Sequence, residues 1–187
     1  YSRTILTKIK SDRWVLRGVF RFMFIMIAML FLVRRVLVWV FLAVAIESAA
    51  QGELRMADDL HGLGRESDLR KIPVVLFFSS EHCEYCELVR DEFLSHLSTD
   101  PAFMNKLLLR EVGMDSDRAM LDFSRQSTSH AAFTERRVIE LVPTIQFTDG
   151  VGDILVEDIV GVTTLGFYGV YLEQAIKQSL STLRLRN

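Results

Sequence analysis

The central feature of the sequence is the stretch at residues 74–86, VVLFFSSEHCEYC, in which an unbroken apolar run leads into a Cys-x-x-Cys motif. A short continuous apolar run is typical of a strand buried on both faces of a parallel sheet. Behind the motif, apolar residues recur at steps of three and four from Cys86 to Leu97, which predicts an amphipathic helix. The two cysteines therefore lie where a buried strand passes into a helix.

This position gives the two cysteines different chemistry. The first turn of a helix has unpaired N–H groups and the positive end of the helix dipole, so a thiol there loses its proton more readily. We therefore predict Cys83 as the nucleophile. Cys86 lies one turn deeper and within reach of the Cys83 sulfur, so it is predicted to resolve the mixed disulfide that Cys83 forms with a partner.

A second motif, Val142-Pro143-Thr144 followed by a glycine-containing hairpin, lies far along the chain. Together with residues 74–86, it resembles the thioredoxin-like family, and in particular its exported bacterial thiol:disulfide oxidoreductases. The resemblance covers about residues 57–183. It implies an α/β thioredoxin fold, with a central mixed sheet and helices on both faces. It also implies exchange with protein thiols and disulfides, an unidentified upstream electron donor, and no cofactor or bound metal.

The resemblance also assigns roles to residues near the cysteines. It implies that Pro143 is a cis proline facing the pair and that the backbone of Val142 pairs with an extended segment of the substrate protein. Taken alone, Pro143 would be an ordinary trans proline that opens a strand. The substrate-binding residues implied in this way are Val142, Pro143, His82, Glu84 and Tyr85.

Two positions depart from the family pattern. His82 stands where many members have tryptophan, and Phe77 stands where thioredoxin itself has a buried aspartate that assists proton transfer. The proton acceptor for Cys86 is therefore open. Glu81 and His82 are candidates, and a solvated surface role for Glu81 is the alternative.

Three acidic residues, Glu81, Glu84 and Glu87, crowd the motif. Their negative field opposes formation of the Cys83 thiolate and offsets part of the helix-terminus effect, which favours a reductase over an oxidase. Reductase, isomerase and oxidase nevertheless stay open, because the direction of exchange also depends on the protein that recharges the pair. An isomerase usually requires a dimer, and no separate dimerisation segment is visible, so we expect a monomeric reductant.

The rest of the chain predicts alternating helices and strands on both sides of this motif. A linker leads into a short helix before residue 71, and a second buried strand is expected at 106–112. Beyond it we expect a short edge strand at 120–123 and a helix within 127–137. The candidate N-caps of that helix are Ser127, Thr128 and Ser129.

A hairpin and a long helix complete the predicted domain. The hairpin strands are expected at 144–148 and 154–160 around a glycine-rich turn. The final helix is expected to begin at Thr163 or Thr164 and to end near residue 183. Its predicted inner face consists of Phe167, Tyr171, Leu172, Ile176 and Leu180, and the aromatic stripe Phe167, Tyr168 and Tyr171 is predicted to pack in the core.

Charge and hydrophobicity divide the chain near residue 50. Residues 1–50 carry a net charge of +6 and the remainder −8, which argues against nucleic acid as a partner. Residues 22–33 and 36–46 are apolar runs of 12 and 11 residues, separated by Arg34 and Arg35. Each run is too short to span a bilayer.

Two interpretations of residues 1–50 stay open, a cleaved signal peptide and a retained membrane anchor. Arg34 and Arg35 fit the charged region of a signal peptide, 36–46 its apolar region, and Ser48-Ala49-Ala50 its cleavage site. Either way, we expect residues 51–187 to form an exported domain in the periplasm, where disulfide chemistry persists, with membrane contact only through an uncleaved N-terminal segment. The translation start is open as well, with candidates Met23, Met26 and Met29.

Two other functions are open. Cys83 and Cys86, with His82, suit a copper-binding thiol module, since soft thiolates bind Cu(I). The alternative is a non-catalytic interaction domain on the same scaffold. The remaining histidines have no ligand spacing relative to the pair: His61, His96 and His130. The last two are expected to be exposed on helices.

Overall fold

The structure is a computed structural model that describes residues 29–30, 34–35, 54–103, 105–162 and 164–186. The chain divides into two units, residues 1–51 and 52–187. The described residues of the first unit are helical and exposed. Apart from residues 29–30 and 34–35, the predicted signal or anchor, including its cleavage site, lies outside the described residues. No helix within the described ranges combines the length and the apolar character needed to cross a bilayer.

The second unit alternates helices and strands. In chain order they are α1 (Leu60–Arg70), β1 (Val74–Ser79), α2 (Glu84–Val89), α3 (Ser95–Thr99), β2 (Leu108–Gly113), β3 (Ala119–Leu121), β4 (Ser127–Ser129), α4 (His130–Arg136), β5 (Thr144–Thr148), β6 (Ile159–Val160) and α5 (Leu165–Arg186). A π-helical turn, Arg90–Leu94, joins α2 to α3. The helix predicted after the cysteines is therefore continuous.

Four strands form the central sheet, in the order β2-β1-β5-β6. β1 is parallel to β2 and antiparallel to β5, and β6 is antiparallel to β5, so the sheet is mixed, as predicted. All six residues of β1 are buried because this strand is paired on both sides and covered on both faces. The segment before α1 adds to the edge of β2, since the Ala57 N–H donates to the Glu111 carbonyl at 2.9 Å.

Alternate residues of β1 point into two separate cores. We call the side of the sheet that α2 and α5 cover the α2 face, and the side that α1 and α4 cover the α1 face. Val75 and Phe77 belong to the core of the α2 face, with Cys86. Leu76 and Phe78 belong to the core of the α1 face. Helices therefore cover both faces, and the α/β thioredoxin fold is confirmed.

One of the two elements predicted between residues 113 and 140 needs correction. The strand expected at 120–123 is β3, which pairs with β4 in a separate two-stranded sheet instead of joining the edge of the central sheet. The helix expected within 127–137 is confirmed as α4, and the residues just before it form β4. Ser129 is the N-cap of α4, and its Oγ accepts a hydrogen bond from the Ala132 N–H at 3.2 Å.

The hairpin after residue 144 is also less regular than predicted. Its first strand is β5, but of the range 154–160 only β6 is a strand. A single bridge between Thr148 and Ile154 marks the other end of the pairing. The glycine-rich turn between them contains Gly152, whose φ of +94° suits a residue without a Cβ atom.

The inner face of α5 differs from the prediction. Phe167 and Tyr171 are 59% and 49% exposed, so they do not pack in the core. Of the predicted aromatic stripe only Tyr168 is buried, and Leu172 and Ile176 are buried as predicted. Neighbouring residues on a helix point about 100° apart, so the phase of the helix decides which of several adjacent aromatics is buried.

His130 is a further correction, because it is buried and not exposed on a helix surface. Its Nδ1 accepts a hydrogen bond from the Gly113 N–H at 3.0 Å. Its Nε2 donates to the Ala57 carbonyl at 3.1 Å. Both partners are distant in sequence, so local spacing did not reveal the burial. His96 is exposed, as predicted.

Candidate functional site

The site lies at the end of β1, where the strand passes through a short turn into α2. Cys83 is the N-cap of α2, with extended backbone angles, and its Sγ accepts from the Cys86 N–H at 3.1 Å. The two cysteines form a disulfide with an S–S distance of 2.08 Å and a Cα–Cα distance of 5.1 Å. The strand-to-helix junction inferred from the sequence is therefore present.

The two sulfurs differ in access to solvent. Cys83 is half-buried, whereas Cys86 is fully buried in the core of the α2 face. A substrate protein approaching from solvent therefore meets Cys83 first. This difference agrees with the predicted roles of Cys83 as nucleophile and Cys86 as resolving thiol, which stay predictions.

Pro143 lies at the same end of the sheet as the disulfide. The Val142–Pro143 peptide bond is cis, as the resemblance implies. Thr144 pairs with Phe78 in the antiparallel register of β1 and β5, which brings Pro143 to the end of β1 from which the chain enters the cysteine turn. Val142 and Cys83 pack against the same core. The structure thus brings together the two motifs that the sequence separates by more than 50 residues.

The residues around the disulfide form an exposed rim. Tyr85 is 62% exposed, and Glu84 and His82 are exposed as well. His82 has a φ of +59°, a left-handed conformation that turns the chain just before Cys83. The predicted substrate-binding side chains next to the motif are therefore accessible.

The acidic residues of the motif lie in solvent. Glu81, Glu84 and Glu87 are all exposed, and Glu84 and Glu87 occupy the first turn of α2. The Glu81 N–H donates to Asp115 Oδ2 at 2.9 Å, which adds another carboxylate beside the turn. Glu81 as the proton acceptor stays a prediction.

A buried carboxylate that the sequence reasoning missed lies on the α2 face. Glu111 of β2 is 5% exposed and pairs in register with Phe77. Its carboxylate accepts from Ser79 Oγ at 2.6 Å, and from Arg90 Nε at 3.1 Å and Arg90 Nη2 at 2.5 Å. The hydrogen bond to Glu111, more than any other contact, raises the pKa of Arg90. The available signal was an acidic residue inside a strand whose other residues, apart from Arg110, are apolar or glycine.

Other parts of the domain contribute little to this site. Within the described ranges, no three His, Cys, Asp or Glu side chains cluster in a way that could hold a metal ion. A cavity of about 560 Å³, lined by residues such as Arg55, Arg110 and Arg118, contains neither cysteine. A protein substrate that binds as an extended segment uses an exposed rim and does not require a deep cavity.

A comparison with protein families agrees with this geometry. The sequence model described as a thioredoxin-like domain matches residues 66–175, which is more than half of the chain and contains both motifs. The chain belongs to the thioredoxin-like domain family. This thioredoxin-like chain has no significant match among curated proteins.

Solved thioredoxins are similar to this thioredoxin-like domain at low identity. Thioredoxin O2 from Arabidopsis thaliana, in its oxidized state, is 19% identical, covering 67% of this chain and 91% of that one with a TM-score of 0.43. Mitochondrial thioredoxin 3 from Saccharomyces cerevisiae is 16% identical, covering 66% and 93% with a TM-score of 0.43. Thioredoxin f from spinach chloroplast is 14% identical, covering 71% and 97% with a TM-score of 0.45. The assignment of the family rests on the sequence model.

Proposed function

We propose that this protein reduces disulfides in protein substrates by thiol–disulfide exchange through Cys83 and Cys86. The observation that carries the proposal is the disulfide at the strand-to-helix junction, with one accessible sulfur and one buried sulfur. The cis Pro143 at the same end of the sheet supports it.

The reaction has two steps that balance in atoms and electrons. In the reduced protein, the Cys83 thiolate attacks one sulfur of a substrate disulfide, so a mixed disulfide forms and the other substrate sulfur leaves as a thiolate that takes a proton from water. Cys86 then loses its proton, to Glu81, His82 or solvent, and attacks Cys83 Sγ. The Cys83–Cys86 disulfide forms, the second substrate thiolate leaves, and two electrons have passed to the substrate. A dithiol protein upstream returns the pair to its reduced form.

The exposed acidic residues support reduction as the direction. Glu84 and Glu87 lie in the helix turn that follows Cys83, so their charges oppose the thiolate that the helix N-terminus favours. A less stabilised thiolate makes the reduced form a better electron donor. Equilibration with a series of glutathione ratios measures this, and a potential as high as about −120 mV, typical of a dedicated periplasmic oxidase, contradicts the reductase assignment.

The exposed rim supports recognition of an extended protein segment. A substrate strand beside the Val142 backbone would place its disulfide over Cys83, with His82, Glu84 and Tyr85 as lateral contacts. This mode resembles the addition of a strand to a sheet, in which main-chain hydrogen bonds supply most of the affinity. We expect the protein to act as a monomer.

We further propose an extracytoplasmic location for residues 51–187. The charged and apolar pattern of residues 1–50 supports it, because it fits a signal peptide or anchor. Fractionation of cells that express the full chain tests this proposal, and recovery only from the cytoplasm contradicts it.

Covalent trapping tests the exchange itself. Replacing Cys86 with Ala leaves the mixed disulfide without a resolving thiol, so substrate proteins are expected to stay joined to Cys83 and to be released by dithiothreitol. The matched control is the Cys83→Ala variant, in which the remaining thiol is buried and few adducts are expected. Reduction of insulin by the unchanged protein is the second readout. Absence of both trapped adducts and insulin reduction contradicts the proposed function.

A further inference from the structure

We propose that Arg90 promotes ionisation of the buried thiol of Cys86 and that Glu111 holds Arg90 in the position to do so. The inference rests on the proposed thiol exchange and concerns its second step. Both residues act on the sulfur through space and are positioning residues.

The helix places Arg90 one turn beyond Cys86 on the same side. The Arg90 N–H donates to the Cys86 carbonyl, which is the i to i+4 relation of neighbours on one helix face. Side chains of a helix lean towards its N-terminus, so the Arg90 side chain leans back over the turn that contains Cys86. Its guanidinium lies 5.8 Å from the centre of the Phe77 ring, and Phe77 and Cys86 share one core.

Glu111 determines where that guanidinium lies. Two of the hydrogen bonds to its carboxylate come from Arg90, which fixes the orientation of the planar group. The third comes from Ser79, the last residue of β1, so the carboxylate is anchored to the strand that carries the cysteine turn. Side-chain exposures of 26% for Arg90 and 7% for Glu111 leave the pair little screened by water.

The pair matters chemically because Cys86 is fully buried. Burial away from water disfavours a thiolate, so an unassisted Cys86 would ionise only at high pH. In our proposal the guanidinium of Arg90, the residue one helical turn beyond Cys86, opposes this effect more strongly than the Glu111 carboxylate on the sheet adds to it.

The other charged or titratable groups near this thiol are exposed or neutral. On the helix, Glu87 and Asp91 are exposed and act on Arg90 through solvent. On α5, Tyr168 packs in the same core, and burial raises the pKa of its hydroxyl, which therefore stays neutral. Glu111 is the buried charge on the sheet side.

Single substitutions of Arg90 and of Glu111 are expected to shift the pKa of the Cys86 thiol in opposite directions. In full-length protein with Cys83→Ala, so that only Cys86 titrates, thiolate absorbance at 240 nm against pH gives the pKa of Cys86. Arg90→Gln removes the positive charge and should raise this pKa by about one pH unit. Glu111→Gln leaves Arg90 uncompensated and should lower it. Arg90→Lys keeps the charge and should restore much of the original value.

The exposed ion pair of Asp58 and Arg118, with a contact of 2.8 Å, supplies the matched control. Asp58→Asn and Arg118→Gln should leave the pKa of Cys86 unchanged. Shifts of the same sign for Arg90→Gln and Glu111→Gln, or no shift in either, overturn the inference, because a purely structural pair would loosen the core in the same way when either partner is lost. Urea unfolding of each variant confirms that it is folded at the start of the titration.

The kinetic consequence separates this inference from the proposed function. With both cysteines present, Arg90→Gln should slow release of the mixed disulfide about tenfold at pH 7, since the rate follows the thiolate fraction. Formation of the mixed disulfide at Cys83 should change little. If the unchanged protein fails to reduce insulin, the proposed function is wrong, whereas opposite pKa shifts would still support the role of the pair.

Discussion

Each face of the sheet buries a titratable side chain in or beside β2, and the hydrogen-bond partners of the two side chains differ. On the α2 face, Glu111 is ion-paired with Arg90 and also bound by Ser79. On the α1 face, His130 bridges two backbone groups, and burial lowers its pKa, so it is neutral near pH 7. The face that carries the disulfide thus contains a buried charge pair, whereas the opposite face contains a neutral group that completes backbone hydrogen bonds.

The two buried groups are therefore expected to affect different properties: the ion pair affects the chemistry of the thiol, and the histidine affects stability. A buried ion pair contributes little net stability, because desolvation offsets most of its attraction, but its field reaches a nearby thiol. A neutral histidine bound to two backbone groups has a small field, but its loss leaves two buried groups unpaired. We therefore expect substitutions on the α2 face to alter the pKa of Cys86, and substitutions on the α1 face to alter mainly the free energy of unfolding.

The largest effect is expected from neighbouring residues of β1 that point to opposite faces. Phe77 and Phe78 are both fully buried, so replacing either with Ala should lower the free energy of unfolding by about 3–5 kcal/mol. Only Phe77→Ala should also change the pKa of Cys86, because the Arg90 guanidinium packs against Phe77. Urea unfolding and thiolate absorbance measure the two properties. An equal pKa change in Phe78→Ala would remove the distinction between the faces.

The next effect concerns His130. Replacing it with Ala leaves the Gly113 N–H and the Ala57 carbonyl without their partner, which should cost about 2–3 kcal/mol of stability at pH 8. No change is expected in the pKa of Cys86. Thermal and urea unfolding give the stability, and a loss below about 0.5 kcal/mol would show that water replaces the imidazole without penalty.

The cost of losing His130 should also depend on pH. Because the pKa of His130 is lower in the folded protein than in the unfolded chain, the unfolded chain takes up the proton first. The contribution of His130 is therefore fully present above its ordinary pKa of about 6.5 and decreases as pH falls towards the folded-state value. The charged groups that act on it are Asp58, Glu111 and Arg118. The stability difference between unchanged protein and His130→Ala should narrow from pH 8 to pH 5, and a widening difference contradicts this sign.

The smallest effect is expected at two residues whose backbone is in the left-handed conformation, one beside the disulfide and one after α4. Val138 has a φ of +57° and His82 a φ of +59°. A β-branched residue is a stronger outlier in this conformation than histidine, so Val138→Gly should gain about 1 kcal/mol of stability and His82→Gly close to none. Calorimetry measures both. Only His82→Gly, which changes the rim, should alter insulin reduction.

The local sequence pattern was sufficient to predict those parts of the fold in which neighbours in sequence are also neighbours in space. The apolar run of β1, the helix after it and the position of Cys83 at the junction all follow from periodicity over a few residues. The Val-Pro-Thr motif marked the other half of the site only through its resemblance to a family. The structure then showed that antiparallel pairing of β5 with β1 brings Pro143 to the same end of the sheet.

The sequence pattern did not predict the burial of side chains whose partners are distant in the chain. Glu111 lies within a strand that was predicted to be buried, and the burial of its charge is tolerated only because Arg90 and Ser79 arrive from other elements. The burial of His130 on the opposite face likewise depends on partners that are distant in the chain, Gly113 and Ala57. The prediction that Phe167 and Tyr171 face the core was wrong because the spacing of the aromatics fits more than one helix phase. Tyr168 packs in the core, where its ring centre lies 4.9 Å from that of Phe93.

The sequence by itself determined the family, the order of most helices and strands, and the two cysteines at the end of a buried strand, since these depend on composition and short-range periodicity. Tertiary structure alone decided which carboxylate is buried beside the helix of Cys86 and which histidine stays neutral. These properties depend on desolvation and on hydrogen bonds between segments far apart in the chain, and neither is encoded in the spacing of any single segment.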